Sequence, residues 1–137
     1  LPICLIKESF CSSLHALGWS HKWAFYSDSK NKDRCRLVLK LLEESKSNLS
    51  SVSEFTIEHA YPDSEDEGNA VVGNLLPLED ALNRRCKNKT LQEKVEIYRT
   101  SSFATTRGFA ERYPDGRFDI KKRTEAIAES IYTLFQV

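Results

Sequence analysis

Ile57-Glu58-His59-Ala60-Tyr61-Pro62, then Gly73-Asn74-Leu75-Leu76-Pro77-Leu78 and Leu82-Asn83, is the stretch on which the fold turns. Phe55 and Ile57 alternate with Thr56 and Glu58, which is the period of a strand, and Pro62 stops that strand just after His59. Asp63-Ser64-Glu65-Asp66-Glu67-Gly68-Asn69 has the composition of a loop. Ala70-Val71-Val72-Gly73-Asn74-Leu75-Leu76 reads as a second strand, so the two form an antiparallel hairpin closed by a long loop. A helix over Leu78 to Arg85 follows.

Outward from the hairpin the pattern is helical. Upstream, Ile3, Leu5, Ile6, Phe10, Leu14 and Leu17 recur at helical spacing and Gly18 stops the run. Trp19, Trp23, Phe25 and Tyr26 form an aromatic connector that reads as core rather than as a platform for bases. A second helix starts after Ser27-Asp28 and runs through Cys35, Val38, Leu41 and Leu42, and a serine-rich link covers Ser45 to Ser53. Downstream, Thr90-Leu91-Gln92-Glu93 has capping-box spacing ahead of Val95, Ile97 and Tyr98. Further helices are predicted over Phe103 to Arg112 and from Ile120, where Asp119 caps a face of Ile120, Ile127, Ile131 and Leu134; Pro114-Asp115-Gly116 is the turn between them. The expected fold class is α+β, mainly α, with a hairpin inserted among packed helices. Residues 1–53 form a helical N-terminal part with its link, and residues 54–137 hold the hairpin and the C-terminal helices.

A chain of 137 residues with 40% apolar positions is the size of one ordinary domain, able to bury about two thirds of its unfolded surface without disulfides. No apolar run approaches the roughly 20 residues of a membrane-spanning helix, and no signal peptide is recognisable, so a cytoplasmic protein is expected. The apolar first residue and the lack of any Met read as a piece of a longer protein. Four cysteines without a C-x-x-C pair do not suggest zinc and are expected to be reduced. The 20 basic and 20 acidic residues cancel, but not locally. Residues 54–80 hold eight acidic and no basic residues, whereas 83–123 hold 12 basic and five acidic. A basic segment of this kind can meet phosphates.

The chemistry sits at Glu58-His59. A histidine, with an unperturbed pKa of about 6.5, can act as a general base near neutral pH, and a carboxylate beside it can hold a hard divalent cation. Regular strand geometry puts adjacent side chains on opposite faces, so both reach one site only if the strand frays or twists at its end.

A strand ending in Glu-His, a long loop, a second strand with Asn74 and a helix with Asn83 resemble the ββα-metal finger, also called the His-Me or HNH finger. Extended through Cys35–Glu43, Glu93-Lys94-Val95-Glu96-Ile97-Tyr98, Ser101–Arg107 and the closing helix, the sequence resembles the C-terminal HNH nuclease domain of GmrSD-type (type IV) restriction enzymes over about residues 33–137. The resemblance implies an HNH-type endonuclease, a phosphodiester hydrolase acting in restriction or antiviral defence on modified or foreign DNA. It makes His59 the general base, gives Glu58 and Asn83 to one divalent cation, Mg²⁺ or Mn²⁺, and has Asn74 brace the loop that orients the histidine. It also implies an upstream nucleotide-binding domain in the full-length protein. Arg84, Arg85, Lys87 and Lys89 become candidates for the DNA backbone, and Lys94 either contacts phosphate or forms an ion pair on the helix surface. An alternative is a catalytically inactive module of the same fold that binds nucleic acid or assists assembly.

Overall fold

The computed structural model describes residues 29–48, 51–62, 69 and 71–134. The hairpin forms around the alternating stretch: β1 (Thr56–His59) pairs antiparallel with β2 (Leu75–Leu78), Thr56 opposite Leu78 and His59 opposite Leu75. Five helices accompany it among the described residues: α1 (Ser29–Ser47), α2 (Asp80–Cys86), α3 (Leu91–Tyr98), α4 (Ala104–Arg112) and α5 (Ile120–Leu134). The fold class is therefore α+β and mainly α, as expected. The expected first helix, the Trp19 to Tyr26 connector and the acidic run Asp63 to Gly68 lie outside the described residues.

The second strand starts later than the apolar run suggested. Val72–Asn74 is a short 3-10 turn, and only from Leu75 does the chain extend. Gly73 explains the difference. A Cβ at this position would run into the Thr124 hydroxyl and the Ile120 carbonyl, so the glycine is a point of close approach to α5 rather than a strand residue. The Arg123 guanidinium then bonds the Gly73 and Leu75 carbonyls at 2.8 and 3.0 Å and lies over the Phe109 ring. Burial holds the Arg123 pKa down to about 10. Because the strand runs on through Leu78, α2 begins at Asp80 instead.

All four residues of β2 are buried, which is why its sequence does not alternate. Leu75 joins Cys35, Leu39, Phe55, Phe103, Ile127 and Ile131 in a core between α1 and α5. Leu76 and Leu78 instead meet Cys86, Val95, Tyr98 and Phe109 in a second core against α3 and α4. β2 is thus the partition between two apolar clusters, and the hairpin is anchored from both sides. Leu134, expected on the apolar face of α5, is 43% exposed, past the packed part of the helix.

Polar groups fix the helix ends. Thr90 and Glu93 form both bonds of the expected capping box. The first amides of α4 have no side-chain cap of their own; the Glu43 carboxylate from α1 accepts from Ala104 and Thr105 at 2.9 and 2.8 Å. A carboxylate at a helix N-terminus satisfies free donors and meets the positive end of the dipole.

Glu79 performs a similar task, accepting from the Ser101 hydroxyl and from the Ser102 amide and hydroxyl. Partial burial pushes its pKa up, but those bonds outweigh it and hold the carboxyl below the ordinary value. A lowered carboxyl pKa adds stability above the unfolded value that disappears as pH falls through the folded one. Glu79→Gln should cost about 1–2 kcal/mol at pH 7, with much less difference from the parent at pH 3. Urea unfolding at both pH values checks this, and an equal gap at both would contradict it.

Candidate active site

β1 delivers Glu58 and His59 to the floor of a cleft of about 1200 Å³ that is also lined by Asn83, Lys87, Lys89 and Arg117. The sequence left open how two adjacent strand residues could face one site. Both nevertheless line the one cleft, with the ladder regular through His59. β1 stops at His59, and the Lys94 ammonium of α3 takes the His59 and Ala60 carbonyls at 2.9 and 3.4 Å while donating to Glu58 Oε1 at 2.7 Å. One cation thus holds both the carboxylate and the backbone that carries the histidine.

Lys94 is 6% exposed and Glu58 5% exposed, so this is an internal ion pair rather than one on the helix surface. A buried pair survives only when further hydrogen bonds satisfy it. The Tyr98 hydroxyl, one turn after Lys94, supplies one by donating to Glu58 Oε1 at 2.9 Å. Burial pushes the Glu58 carboxyl up, outweighing the Lys94 charge and the Lys94 and Tyr98 hydrogen bonds. Burial, reinforced by the Glu58 carboxylate, also raises the Tyr98 hydroxyl well above its usual range, which keeps it a neutral donor. The Cys86 thiol is pushed up to about 11, first by burial and then by Glu58, and stays protonated.

Asn83 reaches the cleft from α2. Its amide nitrogen donates to the Thr56 hydroxyl at 2.8 Å and the Ile57 carbonyl at 3.4 Å, which leaves its oxygen as the group able to ligate a cation. Asn74 is fully buried. Its side chain accepts from the Tyr61 amide at 2.9 Å and donates to the Tyr61 and Asn69 carbonyls at 2.8 and 2.6 Å. Its backbone carbonyl accepts from Ala60 at 2.9 Å. Asn74 therefore ties Ala60 and Tyr61, the two residues that follow the histidine, to Asn69.

Of the expected phosphate-contacting residues, Arg84, Lys87 and Lys89 line the cleft, while Arg85 is exposed on α2 away from it. Arg84 is held by Asp80 at 2.6 Å. Lys94 is spent on Glu58 and two carbonyls. Sequence reasoning missed Tyr98 as a partner of Glu58, although its spacing from Lys94 puts both on one helix face. It also missed Arg117, which only the tertiary fold brings to the cleft.

Among the described residues no group of three or more His, Cys, Asp or Glu side chains is placed to hold a metal. Glu58 and Asn83 offer one carboxylate and one amide oxygen in a shared cleft. Such a sparse set of oxygen donors is of the kind a hard divalent cation takes.

The fold and site together define a class: a mainly helical α+β domain whose hairpin and following helix carry a carboxylate, a histidine and an amide into one basic-rimmed cleft. The family model for the C-terminal domain of GmrSD restriction endonucleases matches residues 20–130, and the chain belongs to that family. No curated protein and no solved structure gave a match. None of the helices among the described residues is long and apolar enough to cross a membrane.

Proposed function

We propose that this domain is an HNH-type, metal-dependent DNA endonuclease, the cleavage module of a restriction system. The observation that carries this reading is the convergence of Glu58, His59 and Asn83 on one cleft with Lys87 and Lys89 at its rim. His59 accepts a proton from the attacking water, which overcomes the weak nucleophilicity of water itself. Glu58 and Asn83 would hold a divalent cation, Mg²⁺ or Mn²⁺, which would supply positive charge at the phosphate. Asn74 keeps the histidine-bearing segment in place through Tyr61 and Ala60. Arg84, Lys87 and Lys89 bind the DNA backbone, with Arg85 adding to the field from outside the cleft. The basic rim is also what a polyanionic substrate requires, since phosphate neutralisation dominates affinity for DNA.

Cleavage of supercoiled plasmid tests this. The purified domain should nick it with Mg²⁺ or Mn²⁺ and stop on addition of EDTA. Nicking that persists in EDTA would remove the metal from the reading. A second reading is favoured by the Lys94 ammonium, which already neutralises Glu58: a finger kept as a DNA-binding fold that does not cut. It predicts salt-dependent DNA binding with no cleavage in any divalent cation.

A further inference from the structure

The turn between α4 and α5 forms part of the same cleft, against the start of α3. Asp115, Gly116 and Arg117 line the same cleft as Lys87, Lys89 and Gln92. The turn is held there by close packing and by hydrogen bonds. Gly116 has φ +71°, and a Cβ on it would come within 2.7 and 2.8 Å of the Gln92 backbone, so only glycine lets the turn lie this close to the start of α3. Its amide donates to the Tyr113 carbonyl at 3.0 Å, and the Arg117 amide donates to Asp115 Oδ1 at 3.2 Å.

A second tie reaches the histidine segment itself. The Tyr61 hydroxyl accepts from the Phe118 amide at 3.2 Å and donates to the Phe118 carbonyl at 3.3 Å, and the two rings stack with centroids 4.9 Å apart. Tyr61 lies two residues after His59, and its own amide and carbonyl are held by Asn74. Arg117 is therefore presented from a rigid turn fixed to the backbone that carries the base. Its side chain is exposed and lines the cleft.

We propose that Arg117 is a further DNA-phosphate contact in this cleft, added to Lys87 and Lys89, with Tyr61 as the positioning residue that sets it relative to His59. The inference rests on the DNA-cleaving reading and extends its basic lining to a residue brought in by the α4–α5 turn. A guanidinium suits this position because its planar fork can bond two phosphate oxygens at once.

The test is the salt dependence of duplex DNA binding, measured with Ca²⁺ present for the parent, Arg117→Ala, Lys87→Ala and Lys40→Ala. Lys40 is exposed on α1 away from the cleft and controls for net charge. Each lost phosphate contact should lower the slope of log K against log salt by about 0.9, which near 0.15 M salt is roughly fivefold weaker binding. Arg117→Ala and Lys87→Ala should both show this, and Lys40→Ala should not. If Lys87→Ala loses slope and Arg117→Ala binds like the parent, the inference about Arg117 is overturned while the DNA-binding reading stands. If the parent itself shows no salt-dependent binding, both fall together. Tyr61→Phe keeps the stack but releases Phe118, so adding it to Arg117→Ala should weaken binding no further than Arg117→Ala alone; an additive loss would contradict the positioning role.

Discussion

His59→Ala should abolish detectable plasmid nicking, a loss of about 10²–10⁴-fold from the removal of a positioned general base. The fold should hold, because the His59 carbonyl still accepts from Lys94 and the strand register is set by β1–β2 pairing. DNA affinity should also stay close to that of the parent, since the basic rim is intact. Time courses at saturating DNA, with circular dichroism as the control for folding, separate these effects. A folded variant that cuts at the parental rate would take the catalytic role away from His59.

Lys94→Met should produce the largest loss of stability, about 3–5 kcal/mol, because it leaves the Glu58 carboxylate buried without its cation. It also releases the His59 and Ala60 carbonyls, so cleavage should fall as well. Changing both partners separates the charge from the packing. With Glu58→Gln added, the buried charge is gone and the Tyr98 hydroxyl can still donate to the amide oxygen, so much of the lost stability should return. Denaturant unfolding of the parent, both single variants and the double variant measures the coupling. Strictly additive losses would mean that Glu58 and Lys94 do not depend on each other, contrary to the 2.7 Å contact between them.

Much of the helical framework was legible because local signals govern it. The capping box at Thr90 and Glu93 marked α3, and the alternation of Phe55 to Glu58 marked β1. The second strand was harder. Val71 to Leu76 is an apolar run, and such a run does not distinguish a strand buried on both faces from a turn packed against a helix. What decided it was the approach of Gly73 to Thr124, a contact 51 positions away in sequence.

The candidate site divides in the same way. Glu58, His59, Asn74 and Asn83 stood out through their order and spacing. Lys94 was expected either on phosphate or on the helix surface, since nothing local indicates that its ammonium turns inward to a strand 35 residues upstream. Arg117 sits on a turn with no catalytic signature and matters only because Gly116 packs on Gln92. Candidates marked by chain order could be singled out from the sequence, whereas residues placed by tertiary contact could not.

The net charge of zero takes on a spatial meaning. Lys87, Lys89 and Arg117 rim the cleft, while Glu58, the acidic residue at its floor, is neutralised internally by Lys94. Asp80 and Asp115 line the same cleft, Asp80 paired with Arg84, so its lining holds an excess of basic over acidic residues rather than basic residues alone.

The most direct measurement is anomalous X-ray diffraction from crystals of the domain equilibrated with Mn²⁺. The expected result is a single peak in the cleft, about 2 Å from an oxygen of Glu58 and from Asn83 Oδ1, with His59 alongside. No peak at saturating Mn²⁺, or a peak remote from His59, would contradict a metal-dependent nuclease centre at this site.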